Sequence, residues 1–125
     1  MAAKTTQDWI YRALTEMGRL HVGEAPPADD YNTVNDLVGP LSAQLTADKI
    51  VYIGDVDAIE PELFLPLARL LSIEAAPSFG NGAIQTLLTR NRVDNLDALR
   101  EREYVTLRRL TSAPPTSQPL RVEYF

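Results

Sequence analysis

The sequence has 125 residues and a mass of 13.9 kDa, enough for one domain that removes roughly two-thirds of its unfolded surface from water. Hydrophobic residues make up 45% and charged residues 23%, which excludes a wholly disordered chain, and no apolar run approaches the ~18 residues that span a bilayer. Because the sequence contains no cysteine, disulfides, thiolate metal ligands and a thiol nucleophile are also excluded.

The net charge of -5 is unevenly distributed along the chain. Residues 1–89 hold 12 acidic against 5 basic residues, a balance of -7, whereas residues 90–125 hold 7 arginines against 5 acids, a balance of +2. This polarity can let identical copies attract head to tail, or it can be chance asymmetry of solvated helix faces. Phosphate binding needs a dense basic surface, so wrapping of nucleic acid is disfavoured.

The first predicted helix follows the cap candidates Thr5 and Thr6 and carries Asp8 in its first turn. Gly18 and Gly23 mark its expected end. Its apolar residues recur at steps of three and four, which predicts one buried face: Ile10, Ala13, Leu14 and Met17.

A second predicted helix begins after Pro26 and Pro27, with Asp29 and Asp30 as its expected caps. Pro40 lacks an N–H and its ring crowds the carbonyl four residues earlier, so we expect a kink or a division into two short helices. The expected inward face comprises Tyr31, Val34, Leu37, Val38, Leu41 and Leu45.

The run from Ile50 to Ile53 has β preference and predicts one short extended segment before the third helix. That helix should begin near Pro61, which suits the first helical position, and Pro77 and Gly80 should end it. It is apolar on nearly all sides, so we expect it at the buried centre. Its two apolar stripes are Leu63, Leu67 and Leu70, and Phe64, Ala68 and Leu71.

The last predicted helix runs from the cap candidate Asn81 to about Leu110, a length of roughly 40 Å. Polar residues 90–92 separate its apolar positions into two groups, so its outer half is expected to leave the bundle. The three-residue spacing of Asp97, Arg100 and Glu103 should support that half by side-chain pairing. The predicted fold class is therefore all-α, a small bundle of about four helices with a long C-terminal helix and one short extended segment.

Candidates for catalysis or metal binding are weak. His21 is the single histidine, and without a nucleophile motif beside it a surface or packing role is favoured. An acidic cluster offers oxygen ligands for a hard cation but lacks the spacing and turn glycine of a calcium loop, so helix capping is the stronger interpretation. The cluster comprises Asp55, Asp57, Glu60 and Glu62. We predict no catalytic residue, metal site or cofactor.

Residues 114–125 are predicted to form an extended C-terminal arm that follows a helical domain, residues 1–113. Pro114, Pro115 and Pro119 prevent a helix there. Apolar and charged residues then alternate at the period of a strand: Leu120, Arg121, Val122, Glu123 and Tyr124. Disordered tails are poor in such apolar residues, so we expect a partner to receive the arm. The alternative is that the arm folds back on its own bundle.

The order of four stretches along the chain is similar to that of a known family. They are WIYRALTEMGRLHVGE (9–24), VNDLVGPLSAQL (34–45), KIVYIGDVDAIEPELFLPLARLLSIEAAPSFG (49–80) and PLRVEYF (119–125). This succession resembles the head-to-tail adaptor proteins of tailed bacteriophages, also called tail accessory, head-completion or packaged-DNA-stabilisation proteins. The resemblance extends from Thr5 to Phe125. The closest matches are Ala13, Leu14 and Gly18, then Leu67 and Ala68, and the run Ala76 to Gly80.

The resemblance implies a helical subunit of a ring, commonly a dodecamer, that lies beneath the portal protein after DNA packaging. Such a ring extends the exit channel, retains the genome and binds the downstream tail protein, while DNA passes through without sequence-specific binding and no membrane is involved. It implies a virion protein of the neck, made in the host cytoplasm. The arm of such adaptors reaches the portal or a neighbouring subunit, a role that would fall here on Leu120, Arg121, Val122, Tyr124 and Phe125.

Two hypotheses from other classes stay open at this point. One is a small cellular regulatory protein that binds one partner through the same arm and forms no ring. The other is a metal-assisted enzyme built around the acidic cluster of residues 55–62. A coiled coil and a receiver-type domain are both disfavoured, because the heptads are too short and the strands of a parallel sheet are missing.

Overall fold

The structure is a computed structural model that describes residues 3–21 and 23–112. Within these ranges the backbone forms five helices and no strand, which confirms the all-α fold class. None of these helices is both long enough and apolar enough to cross a membrane. The predicted arm, residues 114–125, lies outside the described residues. The helices are α1 (Thr6–Glu16), α2 (Ala28–Ala47), α3 (Pro61–Phe79), α4 (Asn81–Asn91) and α5 (Leu96–Ser112).

Helix α1 begins at a capping box. The Asp8 backbone N–H donates to the Thr5 hydroxyl over 3.2 Å, and the Thr5 N–H donates to the Asp8 carboxylate over 3.0 Å, so two free N–H groups of the first turn are satisfied. The predicted apolar face is confirmed, since Ile10, Ala13 and Leu14 have no exposed surface.

Helix α2 is a single helix that continues through Pro40, so of the kink and the division expected there, the division into two helices is wrong. Pro40 and Asp36 are both exposed, and water can therefore bond the carbonyl that the proline leaves without a donor. The expected caps are also wrong. Pro27 occupies the cap position without a side-chain bond, and Asp29 and Asp30 lie in the first turn, where acids favour the positive end of the helix dipole.

Helix α3 is the centre of the bundle, as its composition predicts. It contacts each of the other four helices, and Leu67, Ala68 and Leu71 are fully buried. Pro77 does not end α3 but lies inside it, and the helix ends at Phe79. Gly80 follows with a φ of 97°, a left-handed conformation that glycine adopts without a Cβ clash.

The expected long last helix is instead two helices, α4 and α5, with a turn at residues 92–95. Arg92 ends α4 in the left-handed conformation, with φ 57° and ψ 46°. The Asn95 side chain accepts from the Ala98 N–H over 2.8 Å and so caps α5. Asn81 is the first residue of α4 and Gly80 its cap, so the cap expected at Asn81 is wrong.

Helix α5 returns antiparallel to α3, as shown by the ion pairs of Arg69 with Glu103 and of Glu74 with Arg100. Leu99 and Leu107 are fully buried, so the expectation that this half leaves the bundle is wrong. Apolar residues on both sides of the polar stretch face the same core, because the turn at residues 92–95 reverses the chain.

The segment that connects α2 to α3 crosses one end of the bundle without forming a strand. Ile50 and Val51 are buried, whereas Tyr52 is 77% exposed. Near its end, Ile59 and Lys4 exchange two backbone hydrogen bonds of 2.9 and 2.8 Å. This isolated antiparallel bridge holds the residues before α1 against the residues before α3.

Candidate interaction site

A groove lies where α5 ends, bordered by the 50–59 segment and the start of α3. We call it the α5-end groove and define it by Tyr52, Glu60, Glu62, Leu63, Leu110 and Thr111. Its cavity volume is about 340 Å³. The Thr111 hydroxyl donates to the Leu107 carbonyl one turn earlier over 2.8 Å and lies 3.4 Å from the Ile50 carbonyl oxygen, so the end of α5 lies beside the 50–59 segment.

Two exposed apolar side chains line this groove. Tyr52 is 77% and Leu110 38% exposed. Leu65 is 41% exposed and lies one helical turn after Glu62, at the same end of the molecule. Only Val105, of the four large hydrophobic residues exposed in the described part of the chain, lies elsewhere, further back on α5. Tyr52 and Leu110 are thus apolar side chains that a further chain segment can contact at this end of the molecule.

Two smaller cavities extend the groove along the 50–59 segment. One, of about 60 Å³, runs from Tyr52 past Ala58 to Leu67, and the other, of about 210 Å³, contains Lys49 and Thr111. Tyr52 borders all three cavities. The extended surface is therefore mixed in character: Tyr52 and Leu110 are its exposed apolar side chains, Glu60 and Glu62 line the α5-end groove, and Lys49 lines the adjoining cavity.

His21 is exposed and borders a different cavity, of about 240 Å³. Its backbone N–H donates to the Glu24 carboxylate over 2.9 Å, so this acid stabilises the turn after α1. Lys4 lines the same cavity and lies over the Phe64 ring at 5.3 Å. These contacts give the region a role in packing and turn formation.

The residues of the predicted acidic cluster make different contacts, and two of them form hydrogen bonds near the start of α1. Asp57 accepts from the Thr6 backbone N–H over 3.1 Å, and the Asp57 N–H donates to the Asp55 carboxylate over 2.9 Å. Asp57 therefore bonds a free N–H at the start of α1, a helix remote in sequence. Within residues 3–21 and 23–112, no three carboxylate or histidine side chains come together as a group that could hold a metal ion.

The hydrogen bonds from Thr6 change the titration of Asp57. The pKa of the Asp57 carboxyl is lowered from 3.8, first by the Thr6 hydroxyl and then by the Thr6 backbone N–H, because both stabilise the ionised form. The hydroxyl also lies 2.9 Å from the Val56 carbonyl oxygen. Since its single proton serves one acceptor at a time, the backbone N–H is the steadier partner.

A buried charged network joins α3, α4 and α5. The sequence prediction placed Glu103 in a pairing with Arg100 on an exposed helix and did not foresee this network. Glu103 is only 1% exposed and bonds Arg69 over 3.2 Å and Arg102 over 3.0 Å. Arg102 also donates to the carbonyl and side-chain oxygens of Asn91, over 2.8 and 3.0 Å. A signal was present, because Glu103 lies four residues from both Leu99 and Leu107 and therefore shares their buried stripe.

The predicted partner-binding residues, Leu120, Arg121, Val122, Tyr124 and Phe125, lie outside the described residues. Before them, α5 ends at Ser112, one residue after Thr111, which borders the α5-end groove. Comparison of the chain with protein family models, curated proteins and solved structures finds no match.

Proposed function

We propose that this chain is a structural virion protein, a head-to-tail adaptor that forms a ring beneath the portal protein of a tailed bacteriophage and is not an enzyme. The order of its sequence signals supports this role. The supporting structural observation is the α5-end groove, where the exposed side chains of Tyr52 and Leu110 lie beside the end of α5. A subunit of an assembly needs such a surface outside its own core.

In this role the helical bundle is the rigid body and the arm makes the connection. Leu120, Arg121, Val122, Tyr124 and Phe125 contact the portal or the neighbouring subunit, by strand addition or by insertion into a groove. The ring extends the exit channel and binds the downstream tail protein. A net charge of -5 limits adhesion of the DNA that passes through it.

The test is assembly with the portal protein that the same genome encodes. Purified full-length chain is mixed with portal rings at near-physiological salt, and the complexes are examined by electron microscopy and light scattering. We expect a closed ring of this chain stacked coaxially on the portal. The matched control is a chain that ends at Ser112, first shown by circular dichroism to be equally helical.

The two chains separate the possible results. Binding by the full-length chain alone supports both the adaptor role and the contact made by the arm. Binding by both chains supports the adaptor and contradicts the role of the arm. If neither binds the portal or forms a ring, the adaptor proposal is wrong, and a cellular regulator that contacts one partner through its arm becomes the better hypothesis.

A further inference from the structure

The chain continues directly from the groove into its apolar C-terminal residues. Thr111 borders the α5-end groove, α5 ends at Ser112, and 13 residues follow, 113–125. The first seven, 113–119, are small, polar or proline, and we call them the spacer. The last six, Leu120 to Phe125, carry the apolar side chains, and we call them the tail segment.

The spacer is long enough to bring the tail segment into the groove of the same molecule. Seven residues span at most about 25 Å when fully extended, and connections of four to seven residues are common between adjacent elements. Thr111 itself lines the groove, so the spacer has only to reverse direction. Thr116, Ser117 and Gln118, between the prolines, are the residues available for that turn.

The chemistry of the tail segment matches that of the groove. In an extended chain Leu120, Val122 and Tyr124 share one side, and the groove offers them Tyr52 and Leu110, both exposed. Arg121 and Glu123 lie on the other side of the extended chain, facing away from the groove floor. The long side chain of Arg121 can still reach back to Glu60 or Glu62 at the border of the groove.

Concentration decides whose tail segment occupies the groove. A segment tethered by a short linker has an effective concentration in the millimolar range, far above that of a second copy at micromolar protein concentration. The chain's own tail segment therefore has the advantage over that of a second copy, unless an assembly holds the second copy in place.

We propose that in the free protein the α5-end groove binds the tail segment of the same chain, residues 120–125. This docking covers Tyr52 and Leu110 and shields the apolar side chains of the tail segment together. It does not depend on the adaptor role, because it concerns the unassembled chain. If the chain is an adaptor, the tail segment must leave this groove before it contacts a portal or a neighbouring subunit.

The test uses paired cysteines, which are free of background because the sequence contains no cysteine. The first full-length variant carries Tyr52→Cys with Val122→Cys. The control carries Val105→Cys with Val122→Cys, since Val105 is 52% exposed and lies about 10 Å along α5 from Ser112. Both target sites are exposed, so neither change disturbs the core, and circular dichroism verifies the fold.

Each variant, at protein concentrations chosen between about 1 and 10 µM, is oxidised with oxidised glutathione. Disulfide formation is followed on non-reducing gels and by mass spectrometry. We expect the Tyr52→Cys pair to close within one chain at least about tenfold faster than the Val105→Cys pair, at a rate independent of protein concentration. Arg121→Glu, added to the Tyr52→Cys pair, should slow closure several-fold.

Other outcomes overturn the proposal. Equal rates for the two pairs would mean that the tail segment samples α5 and the groove without docking. Disulfide-linked dimers that form when the single variants Tyr52→Cys and Val122→Cys are mixed, at the expense of closure within one chain, would show that a second copy supplies the tail segment. Because none of these measurements involves a portal protein, failure here leaves the adaptor proposal to its own test.

Discussion

At the scale of single residues, the burial of Glu103 is the least expected feature of the molecule. A carboxylate that is 1% exposed has lost its hydration, and its burial is costly unless hydrogen-bonded cations replace the water. Arg69 and Arg102 do so from different elements, and Arg102 also bonds Asn91 at the end of α4. One acid thereby fixes how α5 lies on α3 and where α4 ends.

Replacing Glu103 should therefore destabilise the fold. We expect Glu103→Ala to lower the free energy of unfolding by about 2 to 3 kcal/mol, below the range for fully buried pairs because the Arg69 side chain is 27% exposed and can rehydrate. Asp97→Ala is the matched control, since Asp97 also bonds an arginine but its side chain is 92% exposed, and it should cost at most about 0.5 kcal/mol. Urea unfolding of both variants gives the comparison, and equal losses would contradict a structural role for the network.

Asp57 predicts a pH dependence of stability. Its pKa in the folded chain lies below 3.8, so the unfolded chain binds the proton more readily, and the stabilisation is present above the unfolded pKa and is lost as the pH falls through the folded pKa. The difference in stability between wild type and Asp57→Asn should be constant from pH 7 to about pH 5 and shrink below about pH 4.

Thermal unfolding across this pH range measures the effect of Asp57→Asn. Asp36→Asn on the exposed side of α2 makes the same change in net charge without removing a bond to the start of α1. A difference for Asp57→Asn that is undiminished at the lowest pH would show that the ionised carboxylate does not hold Thr6 in solution.

At the scale of elements, α5 packs against the core of the bundle, whereas the sequence predicted that this half of the last helix leaves it. Leu107→Ala removes a fully buried side chain and should lower the free energy of unfolding by about 2 to 5 kcal/mol. Val105→Ala, two residues away and 52% exposed, should change it by less than about 0.5 kcal/mol. If urea unfolding shows both changes to be small, the outer half of α5 does not contact the core in solution.

A structural feature could be predicted from the sequence where its cause lies within a few neighbouring residues. The start of α1 could be predicted because Thr5 and Asp8 hydrogen-bond each other within one turn. The central position of α3 could be predicted because its own apolar residues lie on nearly all sides of the helix. The turn at residues 92–95 was not, because Arg92 adopts a left-handed conformation that normally marks glycine or asparagine. The α5-end groove was missed for another reason: the exposure of Tyr52 depends on how residues 50–59 cross the bundle, which no local pattern encodes.

At the scale of the whole molecule, the charge asymmetry of the sequence is partly neutralised by the fold. One arginine of the basic C-terminal part bonds an acid of the acidic part, Arg100 with Glu74 over 3.2 Å. Arg90 donates instead to the Thr15 carbonyl over 3.0 Å. Attraction between the two oppositely charged parts of different copies is therefore weaker than the balance of -7 and +2 implies.

The location of the core predicts how the chain responds to loss of residues 113–125. Buried apolar side chains extend from Trp9 to Leu107, so a chain that ends at Ser112 should unfold in one cooperative transition with nearly the same urea dependence as the full chain. A tail segment docked for most of the time adds about 1 kcal/mol, and the free energy of unfolding should fall by that amount.

A full-length control separates docking from mere shortening. The triple variant Leu120→Ser, Val122→Ser and Tyr124→Ser keeps the length but removes the apolar side of the tail segment, so it should reproduce the loss seen on truncation. If the chain ending at Ser112 instead loses its cooperative transition, residues 113–125 complete the core itself. The bundle of residues 3–112 would then be only part of the folding unit, and the α5-end groove would be an interior surface.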